Sequence, residues 1–268
     1  MSGSKKSGKI IAVTNQKGGV GKTTTAINIA TSMAAIKKSV LLIDLDPQGN
    51  ASTGLGIEEK ARKISAYEIL GEEKNVENSI QKTLIPGLDI IPATVDLSAV
   101  EVELVDAKDR MKRLQRYAIY LKNKYDFIFI DCPPSLGLLT INALTAADSL
   151  LIPLQCEFYA LEGLSHLKKT IYRIKDNLNP TIYIEGILLT MYDRRIRISS
   201  EVKEEVVKYF GKDVFKTIIP RNVRLSEAPS HGLPAILYDI KAPGSQAYIL
   251  LAKEMIERAK KRSKVNGI

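Results

Sequence analysis

Short apolar runs of strand length alternate with longer segments of helical period from one end of the chain to the other. IIAVT (10–14), VLLID (40–44), LDIIP (88–92), FIFID (127–131), LLIPL (150–154), IYIEGILLTMY (182–192) and VFKTIIP (214–220) are rich in β-branched and aromatic residues. Most are continuous rather than alternating, the pattern of strands covered on both faces. The longest helical candidate between them is 96–122, with Asp96 placed as an N-cap; others are 160–178, closed by Asn179-Pro180, and 245–262, whose apolar face fades into KKRSK. Strands alternating with crossover helices predict an α/β fold: a twisted, mostly parallel sheet of seven or eight strands with helices on both faces. The stretch 57–86 has weak periodicity and reads as a peripheral excursion. No repeat, low-complexity tract or Pro/Gly-rich linker interrupts the chain, so 10–262 reads as a single domain between a basic N-terminal tail, 1–9, and a C-terminal tail, 263–268.

Directly after the first strand comes Asn15-Gln16-Lys17-Gly18-Gly19-Val20-Gly21-Lys22-Thr23-Thr24, followed by the helix-compatible TAINIATSMAA. A strand, a glycine loop and a helix in this order turn backbone N–H groups inward around phosphate oxygens and aim a helix N-terminus at them. Lys22 adds a point charge and Thr23 a hydroxyl for Mg²⁺. Nucleoside triphosphate binding and a P-loop fold follow. The usual pattern G-x-x-x-x-G-K-[ST] asks for glycine at position 16, where this chain has Gln16, with a second lysine, Lys17, beside it.

Three acids end strand-length runs. Asp131 follows FIFI and reads as the Walker B carboxylate that holds Mg²⁺ at the carboxyl edge of the sheet. Asp44 and Asp46 follow VLLI; from the residues alone they are either site carboxylates or caps of the turn at Asp46-Pro47. Cys132 and Cys156 have no CxxC partner or His at ligand spacing, so neither a zinc site nor a disulfide framework is expected. No apolar run approaches the roughly 20 residues of a membrane span, and MSGSKKSGK lacks the apolar stretch of a secretory signal, so a cytoplasmic protein is expected.

The net charge of +9 favours a polyanionic partner. Much of it sits at the ends, so a DNA surface on the body must be a local patch. Residues 193–197 read Asp-Arg-Arg-Ile-Arg, and Arg221 and Arg224 form a second basic pair. Such loops suit phosphate contacts or are simply solvated.

KGGVGKTT resembles the deviant phosphate loop of the ParA/MinD ATPases, and the rest of the chain is similar to the ParA (Soj) partition ATPases nearly end to end. The resemblance includes LLIDLDPQGNAS (41–52), DCPPSLGLLTINAL (131–144), EFYALEG (157–163), GILLTMYDRR (186–195) and IPRNVRLSEAPSHG (219–232). It implies an ATPase with ATP and Mg²⁺ as cofactors. ATP would be held by Lys17, Gly18, Gly19, Val20, Gly21, Lys22, Thr23 and Thr24, with Pro220 packing on adenine and Asn222 bonding its edge. Thr23, Asp44 and Asp131 would serve Mg²⁺. Lys17, Lys22 and Asp46 would be catalytic: Asp46 orients the attacking water, and Lys17 reaches across an ATP-dependent homodimer to the partner's phosphates.

By the same resemblance, Arg195 and Arg224 would bind non-specific double-stranded DNA on the nucleoid, and a ParB/Spo0J-like protein would stimulate slow hydrolysis and release. Alternatives on the same machinery are an ATPase positioning another cargo, a MinD-like membrane-cycling ATPase, and a small-molecule or metal-cluster enzyme. The C-terminus IERAKKRSKVNGI is basic and almost without large apolar residues, so no stable membrane association is expected. The isolated cysteines give no support for a shared cluster.

Overall fold

The computed structural model describes residues 7–71, 75–157 and 160–265; the side chains of 160–162, 164–166 and 263–265 are not described. Seven strands form one sheet: β1 (Lys9–Val13), β2 (Val40–Asp44), β3 (Gln81–Lys82), β4 (Leu88–Ile91), β5 (Phe127–Asp131), β6 (Ser149–Gln155) and β7 (Tyr183–Thr190). Their order is β3-β4-β2-β5-β1-β6-β7, parallel throughout except for the short antiparallel pair β3–β4.

The continuous apolar runs sort by alternation onto two cores. Ile11, Val13, Leu42, Phe129 and Leu188 pack under α1 (Lys22–Ala35), α2 (Asn50–Gly54), α9 (Val223–Glu227), α10 (Ala235–Tyr238) and α11 (Pro243–Val265). Ile10, Ala12, Ile43, Ile130 and Leu189 face α3 (Ala66–Leu70), α4 (Val100–Glu103), α5 (Ala118–Lys124), α6 (Leu138–Ala146), α7 (Ala160–Asn177) and α8 (Arg197–Phe210). The expected doubly covered sheet is therefore present.

Three local expectations are corrected. The 96–122 segment is not one helix: α4 and α5 are separated by short 3₁₀ turns, and Asp96 lies inside the 3₁₀ turn Val95–Ala99 rather than capping a long helix. Asn142 of α6 takes the backbone here, donating to Arg110 O and accepting from Leu114 N. The run 214–220 is not a strand but touches β7 and the residues just after it by two isolated bridges, Ile187 with Val214 and Tyr192 with Pro220. Between them the amides of Lys216 and Thr217 donate to the Glu254 carboxylate on α11 instead of a neighbouring strand. Lys9, counted with the basic tail, belongs to β1, while 1–6 lie outside the described residues; α11 runs on through Val265 into the expected C-terminal tail.

The other end signals behave as the residues predict. Asn179 closes α7 and donates its amide to the carbonyls of Leu144, Thr145 and Ala147 at the end of α6. In 57–86 a capping box starts α3: Tyr67 N donates to Ser65 Oγ, and Ser65 N to Glu68.

Candidate nucleotide site

The loop after β1 is held from both sides and left open in the middle. Asn15 donates to Pro153 O at 2.8 Å and accepts from Lys17 N at 3.0 Å, while Thr190 Oγ1 at the end of β7 donates to Val20 O at 2.8 Å. Gly19 and Gly21 have φ of +74° and +87°, a region that glycine enters without strain. A Cβ on Gly18 or Gly19 would meet nothing within 4 Å, so the loop is shaped around space rather than packing. Gly21 is the N-cap of α1 and offers no side chain to the first turn, which also contains no acid. The free amides and the positive end of the helix dipole therefore face an open position. A groove of about 300 Å³ lined by Thr23, Thr24, Asn50, Leu225 and Pro229 opens beside that turn.

Parallel register brings the acids to the same edge. Val13 and Asp44 both pair with Asp131, on opposite sides of β5. Asp131 is fully buried, and neither of its carboxylate oxygens has a hydrogen-bond partner. Burial and then the neighbouring Asp44 push its carboxyl well above the ordinary range, while the Thr23 side chain and then Lys22 pull the other way. Asp44 is engaged: it accepts from Ser52 N, Ser52 Oγ and Asp46 N, and burial still raises it to about 6. Asp46 accepts from Gln48 N at 3.0 Å.

Lys22 is itself buried, donates to Lys17 O at 3.0 Å, and is lowered by burial against the pull of Asp131, Cys132 and Asp46. An orphaned carboxylate facing an open phosphate cradle suits a divalent cation that arrives with phosphate oxygens, because Mg²⁺ keeps waters and needs only one or two protein carboxylates. Among the described residues no group of three or more His, Cys, Asp or Glu is arranged to hold a metal unaided. Cys132 is buried with its thiol pushed up, chiefly by burial, and Cys156 is raised to about 11 for the same reason.

The predicted base-binding turn joins this site through β7. Met191 Cε lies 3.7 Å from where a Gly21 Cβ would stand, and Arg221 N donates to Tyr192 O, which sets Pro220 and Asn222 beside the end of β7. Asn222 Oδ1 is buried without a partner, an acceptor waiting for a donor.

Lys17 pairs with Glu157 at the surface, both about half exposed, rather than with the loop it belongs to. The two candidate DNA arginines each carry an acid. Arg195 makes a two-pronged bond to Asp193, and Arg224 pairs with Glu227 at 2.8 Å and Asp239 at 3.5 Å. Sequence reading assigned no role to Asn15, Thr190 or Glu157, which hold or flank the loop. Of these only Asn15, an Asx residue two before Lys17, carries a local signal.

The family described as AAA domain matches residues 8–184. The sporulation initiation inhibitor protein Soj of Bacillus subtilis is 56% identical across 92% of this chain and 98% of its own length. The chromosome partitioning protein ParA of Caulobacter vibrioides is 54% identical across 95% of this chain and 96% of its own. Among solved structures, the cobyrinic acid a,c-diamide synthase of Mycobacterium smegmatis with bound ATP analogue and magnesium superposes with a TM-score of 0.83 at 34% identity, covering 94% of this chain and 96% of that one. With a glycine loop, a buried carboxylate at the strand edge and a second lysine set on a fold shared with these proteins, the chain belongs to the ParA/Soj family of partition ATPases.

Proposed function

We propose that this chain is an ATP-hydrolysing DNA segregation protein of the cytoplasm and nucleoid. The amides of Gly18 to Thr24 and the Lys22 ammonium bind the phosphates. Thr23 and Asp131 hold Mg²⁺, with Asp44, already bonded to Ser52, supporting from behind. When bound, the ion neutralises charge on the β- and γ-phosphates. Pro220 packs on adenine, and the unpartnered Asn222 carbonyl accepts from its amino group, which favours ATP over GTP.

Asp46 orients the attacking water. Lys17 leaves Glu157 and crosses to the phosphates of a second subunit, so the cation that stabilises the developing charge comes only with the homodimer. Arg195 and Arg224 of both subunits then contact DNA phosphates without reading sequence. A ParB-like protein stimulates hydrolysis and with it release.

The observation that carries this reading is the buried, partnerless Asp131 carboxylate beside Lys22 at the mouth of a glycine-capped helix. The test is retention of a random-sequence duplex by the Asp46→Ala variant with ATP and with ADP over a salt series. Retention with ATP alone, falling steeply as salt rises, is the expected result. Retention in neither state would remove DNA from the function and leave an ATPase with another cargo.

A further inference from the structure

We propose that Arg62 is a positioning residue for hydrolysis, which holds the loop carrying Asp46 at the height needed to place the attacking water. This role rests on the ATPase reading above.

Arg62 is 8% exposed, and among the described residues its hydrogen bonds go to carbonyls and a hydroxyl rather than to a carboxylate. The guanidinium joins the segment after Asp46 to the end of β4. Nε and Nη2 donate to Ile57 O at 3.1 and 2.7 Å, Nη2 donates to Thr53 Oγ1 at 2.8 Å, and Nη1 donates to Ala93 O at 3.2 Å. A buried cation kept without an acid is costly, so its hydrogen bonds have to justify it. Burial indeed lowers its pKa, while Asp44 and then Glu59 work the other way. The chain also clears its path: Gly49 has φ +62°, and a Cβ there would stand 2.3 Å from Arg62 Nη1.

The bonds close a ring around the hydrolytic acids. Gly49 N donates to Asp46 O, which ties Asp46 to the start of α2. Ser52 Oγ in α2 donates to Asp44 and accepts from Ala93 N. Arg62 joins Thr53 in α2 and Ile57 beyond its end back to the carbonyl of the same Ala93. Ala93 therefore anchors both flanks of the 46–57 loop, and Arg62 supplies one of the two flanks. The phosphate loop stands on β1 and shares none of these bonds. Loss of Arg62 should therefore move Asp46 and leave the ATP cradle in place, a split between turnover and affinity that a general loss of structure does not produce.

A groove of about 460 Å³ lined by Pro47, Gln48, Thr53, Glu59, Arg62 and Pro229 reaches the guanidinium from outside. A small guanidinium ion can enter a cavity left by Arg62→Ala along the same way, drawn by Glu58 and Glu59 at its rim.

The experiment is single-turnover hydrolysis of Mg-ATP by wild type, Arg62→Ala, Arg62→Lys and Thr53→Val, with ATP affinity measured separately for each. Arg62→Ala is expected to slow hydrolysis about ten- to a hundredfold, since small misplacements at a reacting centre cost that much, with ATP affinity within about twofold of wild type. Millimolar methylguanidinium should recover part of the Arg62→Ala rate and leave wild type unchanged. Arg62→Lys, which keeps the charge but not the fork of donors, should fall between wild type and Arg62→Ala. Thr53→Val, which removes one acceptor, should show a smaller loss with the same split; it carries the test if Arg62→Ala does not fold.

Unchanged hydrolysis in Arg62→Ala and Thr53→Val overturns the role. So does a parallel fall in rate and affinity that methylguanidinium does not reverse. A wild-type protein that hydrolyses no ATP overturns the ATPase reading itself, and this role with it.

Discussion

Asp44 and Asp131 are register partners on adjacent parallel strands, two fully buried carboxyl groups side by side at the carboxyl edge of the sheet. Asp44 is hydrogen-bonded, whereas the Asp131 charge is offset by the Thr23 side chain and by Lys22, itself disfavoured by burial. Like charges buried side by side are costly, and a nearby cation relieves that cost.

Asp131→Asn keeps the shape and removes the like-charge neighbour of Asp44. The nucleotide-free variant is expected to be more stable than wild type at pH 7 by about 1–2 kcal/mol. Its gain on adding Mg-ATP should be much smaller. Because both carboxyls are raised, the wild-type penalty builds as pH rises from the unfolded carboxylate value, roughly 3.9, toward the folded values, about 6 for Asp44, and the difference should close as pH falls back to that unfolded value. Thermal unfolding with and without Mg-ATP at two pH values checks this.

Glu185 on β7 is buried and ion-paired with Lys9 of β1 and Arg262 of α11. Burial alone would raise its carboxyl, but Lys9 and then Arg262 outweigh it and hold the group below the ordinary range. A depressed carboxyl stabilises the fold above its unfolded value, roughly 4.3, and this is lost as pH falls through the lower folded value. Glu185→Gln should cost roughly 2–3 kcal/mol at pH 7, at or below the usual range for breaking a buried pair because Lys9 and Arg262 are partly exposed. Urea unfolding should show the gap closing as pH falls below that unfolded value.

Lys17→Ala removes a half-exposed surface pair with Glu157, worth well under about 1 kcal/mol, so the monomer should unfold as wild type does. ATP binding to the monomer should persist. Dimer-dependent hydrolysis should fall by about 10³-fold, the scale of a cation supplied in trans. Sedimentation with ATP and steady-state turnover separate the two effects.

Asn222→Asp replaces an unpartnered amide carbonyl with a charged acceptor and removes the amide donor. One misplaced base contact is worth about 1–2 kcal/mol, so ATP affinity should drop about tenfold and the preference over GTP should narrow. Competition between labelled ATP and GTP reads this directly.

Asp193 holds Arg195 in a two-pronged ion pair, and Arg195 in turn keeps the Asp193 carboxyl down at about 2. In the proposed DNA complex that acid competes with a phosphate for the guanidinium. Asp193→Asn should therefore tighten ATP-dependent duplex binding, whereas Arg195→Ala should weaken it and reduce the slope of log affinity against log salt by about 0.9 for each phosphate that is no longer neutralised. A salt series on both variants is sufficient; opposite signs in the two are the expected outcome.

Much of the fold and the phosphate cradle was legible because the information is local. Continuous β-branched runs need cover on both faces, and glycines at 18, 19 and 21 permit a backbone that encloses an anion, whatever the rest of the chain does. The single 96–122 helix and the 214–220 strand failed for one reason: distant side chains, Asn142 and Glu254, claimed backbone groups that periodicity assigned to regular structure.

The identity of the acids was likewise readable, but their unequal states were not. Parallel register decides that Asp131 faces Asp44 unpartnered, and folding decides that Lys17 meets Glu157 and that a cation at position 62 closes the loop behind Asp46. Residue types determine what each group can donate, accept or carry. Which groups meet, and how far from water, depends on interactions across tens to hundreds of residues that only the tertiary structure supplies.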